Sequence, residues 1–245
     1  MPQVRVVLVE PKVEGNVGAI ARSMANFGLD RLVLVNPCSV GDEAFRRSKH
    51  GRPILEGART VRHLEDALDA TDISVGTTGI STTSERAFLR QTLTPLELGA
   101  KLCNMNGRVA LVLGREDYGL LNEELTRLDM LVSIPCVPNY PIMNISHAAT
   151  VLFYELYRAS ASPATPRREL ASGFEKEKLM EAFRELLLVT RYPKYKSCRT
   201  EVMFRRLVGR ALPSKWEFHA LMGALRRASK TVKRLSECPV PGPSS

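Results

Sequence analysis

The sequence predicts an α/β fold in which an open, mostly parallel β-sheet is followed by a small all-helical domain. Short apolar runs rich in β-branched residues alternate with helical patterns over the first 160 residues. This order is typical of a parallel sheet with helices on its faces. Most of the runs are apolar throughout rather than alternating, which indicates strands buried on both faces. The last part of the chain has helical periodicity only.

Each element has its own signal. Strands are expected at the most apolar and β-branched runs, which are 3–9, 31–36, 72–76, 108–113 and 130–135. A helix over 93–103 is favoured because Thr94 and Glu97 have capping-box spacing and Pro95 suits a first helical position. Further helices are expected before and after the last strand, at 120–128 and 144–159.

The chain is predicted to contain a sheet domain at 1–160 and a basic helical domain at 174–235. Residues 161–173 are rich in Ala, Ser, Pro and Gly and are expected to form a linker. The helical domain is expected to contain three helices, at 174–190, 200–211 and 214–235, the last begun by a capping box at Ser214 and Glu217. Residues 236–245 are expected to form a disordered tail.

The basic charge is concentrated in the last third of the chain. Residues 164–245 carry 18 Lys and Arg against 8 Asp and Glu, a net +10, whereas the whole chain carries +9. A basic region joined to a nearly neutral one suggests that the C-terminal part binds a polyanion such as nucleic acid. The alternative is a basic helical face that is only solvated.

Composition argues against several other classes of protein. No apolar run approaches the roughly 18–20 residues that cross a membrane, and the start of the chain has no signal-peptide layout. We therefore expect a cytoplasmic protein without membrane contact. The five cysteines have no C-x-x-C pair, and His50, His63 and His219 lack metal-ligand spacing, so no metal is expected. A disulfide is expected only if the source is a hyperthermophile.

The turn after the first predicted strand, EGNVGAIAR at 14–22, is placed like a dinucleotide-binding turn, but its spacing excludes that function. A Rossmann turn requires G-x-G-x-x-G and an acidic residue after the second strand, whereas that strand ends in Val-Asn-Pro. Instead, Asn16 is expected to cap the helix and Gly18 to allow close packing. Arg22 is expected near the carboxyl edge of the sheet. The alternative is a capped helix with a surface arginine.

Two more irregular segments follow predicted strands, LGREDYGL at 113–120 and the stretch from IP at 134–135 to NIS at 144–146. With the first turn they resemble the three signature motifs of the SPOUT RNA methyltransferases, in the TrmH-like (SpoU) branch. N-x-G-x-x-x-R is met by Asn16, Gly18 and Arg22; L-G-x-E-x-x-G-L by Leu113, Gly114, Glu116, Gly119 and Leu120; and I-P…N-x-S by Ile134, Pro135, Asn144 and Ser146. The third motif departs from the family at Ile142 and Met143, where a hydroxyl is lost.

The resemblance continues into the C-terminal segments FRRLVGRA and WEFHALMGALRRA, which are similar to the TrmJ-type group. It implies 2′-O-ribose methylation of tRNA at nucleotide 32 of the anticodon loop, on cytidine and also on uridine. It further implies a trefoil knot in the carboxyl half of the sheet, and a homodimer whose active sites are completed across the interface. The alternatives are another tRNA or rRNA site, or a non-catalytic RNA-binding SPOUT protein. A nicotinamide-dependent dehydrogenase is disfavoured by the glycine spacing.

The implied cofactor is S-adenosylmethionine, with S-adenosylhomocysteine as product. The resemblance implies that it is bound at Thr77, Thr78, Gly79, Gly114, Ile134, Ile142, Met143 and Asn144. The catalytic residues implied are Arg22, Asn16 and Asn144. An arginine with a pKa above about 12 is a reluctant base. We therefore expect Arg22 mainly to hold the target phosphate and to stabilise charge on the 2′-oxygen, with Asn16 orienting Arg22 or the ribose.

Two basic clusters are expected to bind RNA. The first, RRSKHGR at 46–52, is expected to be a loop and supplies Arg46, Arg47 and Lys49. The second, RYPKYKSCR at 191–199, supplies Lys194 and Lys196 beside two tyrosines, a mixture that suits phosphates and stacked bases. Further RNA contacts are expected from Arg86 and Arg115. For each cluster the alternative is a solvated loop.

Overall fold

The computed structural model describes residues 2–79, 92–103, 105–161 and 170–237. The chain divides into two compact units, Met1–Leu170 and Ala171–Ser245. Most of the expected linker, most of the expected tail, and Arg86 lie outside the described residues. The limits predicted for the linker and the tail, and the RNA contact predicted for Arg86, therefore stay predictions.

The first unit alternates strands and helices as the sequence predicts. Its strands are β1 (Gln3–Val9), β2 (Arg31–Val35), β3 (Arg59–Val61), β4 (Ile73–Thr77), β5 (Arg108–Leu113) and β6 (Met130–Val132). Its helices are α1 (Glu14–Asn26), α2 (Asp42–Ser48), α3 (Arg52–Glu56), α4 (Leu64–Leu68), α5 (Pro95–Leu102), α6 (Asn122–Arg127) and α7 (Ile145–Ala161). No described helix is long and apolar enough to cross a membrane.

The six strands form one parallel sheet in the order β3-β2-β1-β5-β4-β6. This confirms the predicted open parallel sheet and all five predicted strands. Strand β3 was missed because it is a three-residue edge strand with exposed positions and no apolar run. The central strands are almost fully buried, as their continuous apolar sequence predicts. Since β1 and β5 are neighbours, the turns that follow them meet at the carboxyl edge of the sheet.

Helix α1 lies very close to the segment after β2 because two glycines leave room for it. A Cβ on Gly18 would lie 2.1 Å from the backbone oxygen of Ala44, and one on Gly51 would lie 2.3 Å from that of Ala21. The close packing expected at Gly18 is therefore confirmed. The backbone nitrogen of Arg22 would lie only 2.6 Å from the Cβ on Gly51. The chain around Gly51 is thus held against the middle of α1.

The prediction of a loop at 46–52 was wrong. These residues form the end of α2, a 3-10 turn at Lys49–Gly51 and the start of α3. The helical turns are short and their stability comes from packing against α1, which local sequence does not reveal.

The prediction that Asn16 caps α1 was also wrong. The helix begins at Glu14, with Val13 as the capping position and no side-chain cap, so Asn16 lies within the first turn. By contrast, the capping box at Thr94 and Glu97 is confirmed, with Thr94 Oγ1 accepting the Glu97 N–H at 3.3 Å. The side chain of Asn16 does not cap the helix, because it makes hydrogen bonds to Glu116 and Asn144 instead.

The second unit contains three helices, α8 (Gly173–Val189), α9 (Lys194–Ala211) and α10 (Lys215–Glu237). The box at Ser214 and Glu217 is confirmed, and Ser172 and Glu175 form another that the sequence analysis missed. Helix α9 begins earlier than predicted, so its first turns include residues 194–199 of the second basic cluster. A small apolar core joins the helices, formed by Leu179, Ala182, Val208, Phe218 and Met222.

Candidate active site

A cavity of about 340 Å³ opens at the carboxyl edge of the sheet. It lies where β4, β5 and β6 end, the edge at which parallel sheets bind ligands. All but one of the residues predicted to bind a cofactor line it: Thr77, Thr78, Gly79, Gly114, Ile134, Ile142 and Met143. The exception, Asn144, lies between two lining residues, Met143 and Ile145. Leu113, Leu120, Val132, Ile145 and Leu152 add apolar walls, and residues 115–119 of the loop after β5 add a polar one.

The loop after β5 makes a tight turn that forms one wall of this cavity. Gly119 has φ +70°, which favours glycine. A Cβ on Gly114 would lie 2.2 Å from the carbonyl carbon of Gly119, so Gly114 also has no room for a side chain. The backbones of Arg115 and Gly119 exchange hydrogen bonds of 3.2 and 3.1 Å. The glycines of this motif are therefore required by the turn itself.

Arg115 holds this turn from inside the protein. Its side chain is 3% exposed, and its guanidinium donates to Glu10 Oε2 at 2.8 Å and to both carboxylate oxygens of Glu124 at 3.0 Å. Hydrogen bonds to Glu10 and then Glu124 raise the pKa of Arg115. Because it is buried and paired, Arg115 is not placed to bind phosphate. The structure gives it a structural role in place of the predicted RNA contact.

Glu116, the next residue, joins the loop after β5 to the turn after β1. Its carboxylate accepts the backbone N–H groups of Lys12 and Val13 at 2.9 and 3.2 Å and the side-chain amide of Asn16 at 3.0 Å. Burial raises the pKa of Glu116, but these hydrogen bonds outweigh it and the net pKa is lowered. Glu116 is therefore ionised at neutral pH and places a negative charge at the wall of the cavity.

Asn16 extends the same network to the third motif. Its Oδ1 accepts a hydrogen bond from Asn144 Nδ2 at 3.3 Å. Asn144 Oδ1 in turn accepts the backbone N–H of Ser146 at 2.9 Å and its hydroxyl at 2.7 Å, which caps the start of α7. The three motifs are thus connected through Glu116, Asn16 and Asn144.

Arg22 is not part of this network. It lies six residues after Asn16, hence about 240° around α1, and it is exposed. No hydrogen bond or ion pair joins it to another residue in the described part of the chain. The expectation that Asn16 orients Arg22 is therefore not met within one chain, because Asn16 is bound to Glu116 and Asn144 instead.

The contact at Gly51 brings the first basic cluster beside Arg22. Arg46 and Lys49 are exposed and, among the described residues, have no acidic partner. Arg47 pairs with Glu43 at 2.7 Å. In the second unit, Lys194 and Lys196 are exposed in the first turn of α9, and Lys196 Nζ lies 5.4 Å from the centroid of the Tyr195 ring.

The sequence alone indicates no role for Glu116 or for Lys12. Lys12 Nζ lies 2.5 Å from Asp117 Oδ2 and 5.0 Å from the ring centroid of Tyr118, which lines the cavity. Glu116 was present in the quoted motif, but its function depends on the neighbouring strand and has no local signal. Among the described residues, no group of His, Cys, Asp and Glu could hold a metal ion.

Related proteins match most of this chain. The model of the SpoU rRNA Methylase family matches residues 3–154. The tRNA (cytidine-2′-O-)-methyltransferase TrmJ of Methanocaldococcus jannaschii is 39% identical over 228 residues, covering 91% of this chain and 98% of that protein. The tRNA (cytidine/uridine/adenosine-2′-O-)-methyltransferase TrmJ of Pseudomonas aeruginosa is 36% identical, covering 96% and 97%.

Solved structures show the same fold. The crystal structure of TrmJ from Z. mobilis ZM4 has a TM-score of 0.71 at 22% identity, covering 93% of this chain and 98% of that one. The SpoU methyltransferase AviRb from Streptomyces viridochromogenes, in complex with AdoMet, has a TM-score of 0.51 at 24% identity and covers 66% and 63%. At these identities the likeness concerns the fold alone.

Proposed function

We propose, because the chain belongs to the SpoU rRNA methylase family, that it is a tRNA 2′-O-ribose methyltransferase that uses S-adenosylmethionine. The observation that carries this proposal is the network of Glu116, Asn16 and Asn144, which joins the three motifs beside one cavity. The names of the relatives that cover nearly the whole chain support tRNA as the substrate.

The cavity suits S-adenosylmethionine in shape and charge. Bound there, the cofactor supplies an electrophilic methyl group on a positively charged sulfonium. The apolar walls suit an adenine ring, and the irregular segments that form the rest of the wall offer backbone groups for hydrogen bonds. The ionised Glu116 suits a cation. We assign binding to Thr77, Thr78, Gly79, Gly114, Ile134 and 142–144.

Arg22 is proposed to act on the RNA. A ribose 2′-hydroxyl becomes nucleophilic only as its proton leaves, and a guanidinium can stabilise the developing charge while holding the adjacent phosphate. The exposed Arg46 and Lys49, on the segment packed against α1, would extend this positive surface along the RNA backbone. Asn16 and Asn144 would hold the ribose or the cofactor from the opposite side.

Arg22 does not line the cavity of its own chain, and we therefore propose that a homodimer completes the site. An exposed aromatic surface supports a partner copy, since Tyr154 and Tyr157 on α7 are about half exposed beside Phe27, which follows α1. In a dimer, Arg22 of one copy can serve the cavity of the other. Replacing Tyr154 and Tyr157 by Glu should give a monomer in light scattering that has lost activity.

We propose nucleotide 32 of the anticodon loop as the target, with cytidine and uridine as substrates, a trefoil knot in the carboxyl half of the sheet, and action in the cytoplasm. A different tRNA or rRNA site, and a non-catalytic RNA-binding function, are the competing proposals. The intact network around Asn16 favours an enzyme over the last of these.

One experiment tests the reaction and the site together. Purified protein is incubated with unmodified tRNA and rRNA and with S-adenosylmethionine carrying a labelled methyl group, and each RNA is then digested and mapped by mass spectrometry. We expect a ribose-methylated nucleoside at position 32. Labelled rRNA with unlabelled tRNA would support the competing substrate. Cofactor binding without methyl transfer to either RNA would contradict an enzymatic function.

A further inference from the structure

The second unit has one helical face on which cations are left without acidic partners. Between Glu217 and Glu237, α10 contains five cations and no acid. Arg226, Arg227, Lys230 and Arg234 are exposed and have no ion pair with any described residue. Only Lys233 is paired, with Glu185 at 2.5 Å.

Three other cations of this unit are neutralised by neighbouring acids. Lys178 pairs with Glu181 at 2.8 Å, Arg184 with Glu201 at 3.0 Å and Arg205 with Glu177 at 2.6 Å. The unit therefore does not have a uniformly basic surface. The unpaired cations of α10 lie on one side of the helix. Phe218 and Met222, which face the core, lie on the other side.

The face also contains the single tryptophan of the chain. Trp216, Arg227, Lys230 and Arg234 are spaced by 11, 3 and 4 residues, so they lie within about 60° of one another around the helix and span about 27 Å along it. Trp216 is 78% exposed. An indole left in water at the end of a row of cations costs hydrophobic stabilisation unless a partner covers it.

Like charges three and four residues apart on a helix repel one another. Arg227 and Lys230, and Lys230 and Arg234, have these spacings with no acid to relieve them. A polyanion would relieve the repulsion along the whole row, and an exposed aromatic side chain beside it suits an unpaired base. A folded protein partner would need acidic residues at the same spacing and gives no reason for the tryptophan.

The ion pairs also fix the direction of the helices. Arg184 with Glu201, and Glu185 with Lys233, lie at the same level of α8. Helix α9 begins and α10 ends toward that end of the unit, so Lys194 and Lys196 lie toward the same end as Arg234. The two basic segments can therefore follow one RNA strand.

We propose that the face of α10 formed by Trp216, Arg227, Lys230 and Arg234, called here the α10 face, is the surface through which the second unit binds tRNA. The three cations bind consecutive phosphates and the indole stacks on an unpaired base. This inference rests on the proposed function, since it takes tRNA as the substrate.

The test compares two triple variants of the full chain with equal loss of charge. The first is Arg227→Gln, Lys230→Gln and Arg234→Gln. The control removes paired cations, Lys178→Gln, Arg184→Gln and Lys233→Gln. We expect the first to weaken tRNA binding about tenfold or more near 0.1 M salt, and to reduce the slope of log affinity against log salt by about 2–3. The control should change both values little, and both variants should bind S-adenosylmethionine like the parent protein.

Trp216 provides a separate readout. Because it is the only tryptophan, its fluorescence reports on this position alone. Stacking on a base should quench that fluorescence when tRNA is added. Trp216→Ala should weaken tRNA binding about fivefold or more without changing the salt slope, since a stacking contact releases no counterions. A polyglutamate of similar charge should not quench the fluorescence.

Equal losses in the two triple variants, an unchanged salt slope in the first, or equal quenching by polyglutamate would each overturn the α10 face as the tRNA surface. These outcomes are distinct from failure of the proposed function, which is judged on the parent protein by methyl transfer alone. If the parent methylates tRNA while the first triple variant binds it normally, only the present inference fails.

Discussion

The side-chain amide of Asn16 donates a hydrogen bond to the carboxylate of Glu116 at 3.0 Å, across 100 positions of sequence. This contact exists because β1 and β5 are adjacent in the sheet, so their following turns meet. It fixes the orientation of the Asn16 amide, leaving its oxygen to accept from Asn144. The first three predictions concern this network and Arg22, which lies on the same helix as Asn16.

Asn16→Asp should disrupt the network with almost no change in shape. The new carboxylate would lie beside that of Glu116, so charge repulsion would add to the loss of the hydrogen bond. We expect methyl transfer to fall about a hundredfold or more, with a destabilisation of about 1–3 kcal/mol. Single-turnover methylation and urea unfolding measure the two effects. Asn16→Ala, which removes the contact without adding charge, should be less destabilised, and the reverse order would contradict the argument.

Glu116 should make stability depend on pH in the acid range. Its folded-state pKa is lowered, so its stabilising contribution is fully present above the unfolded value of about 4.3 and is lost as pH falls through the folded value. Glu116→Gln should therefore lower stability at pH 7 and reduce its dependence on pH below about 5. Urea unfolding from pH 7 to pH 3 measures this. A parallel pH profile for the two proteins would exclude the proposed role.

Arg22→Ala and Arg22→Lys should both lower methyl transfer, by about a hundredfold or more for Ala. Lys keeps the charge but loses the planar pair of donors, so it should recover only part of the rate. Cofactor binding, measured by calorimetry, should not change. Arg31→Ala is the matched control, because Arg31 is an exposed arginine at the amino end of β2. Rates near that of the parent for both Arg22 variants would refute the assignment.

Arg115→Gln should destabilise the first unit rather than weaken RNA binding selectively. It leaves Glu10 and Glu124 without their guanidinium, which for a buried pair costs about 3 kcal/mol. Thermal unfolding and tRNA affinity, measured well below the unfolding temperature, separate the two effects. A variant of normal stability with weakened tRNA binding would restore the original expectation that Arg115 contacts RNA.

Gly18→Ala and Gly223→Ala should have opposite effects although both lie within helices. A methyl group on Gly18 would collide with the backbone of Ala44, whereas one on Gly223 meets nothing within 4 Å. We expect the first to destabilise by about 2 kcal/mol or more through overpacking. The second should stabilise by about 0.5–1 kcal/mol, because alanine favours helix. Urea unfolding of each variant checks the sign.

The sequence by itself determined the main architecture. Nearly continuous apolar runs predict β1, β2, β4, β5 and β6, because a strand buried on both faces has few polar positions. Capping boxes at Thr94 and Ser214 fix two helix starts, because the interaction spans only three residues. The resemblance to the SpoU family, which the sequence motifs carry, also pointed to residues that line the cavity.

Only the tertiary structure decided the partners of the polar side chains. Asn16 looked like a cap and proved to be bound to Glu116 and Asn144. Arg115 looked like an RNA contact and proved to be buried against two carboxylates. In each case the decisive neighbour comes from a distant part of the chain and is brought close by strand order. The interaction energy of a charged or amide side chain depends on its burial and on that neighbour, and local sequence contains neither.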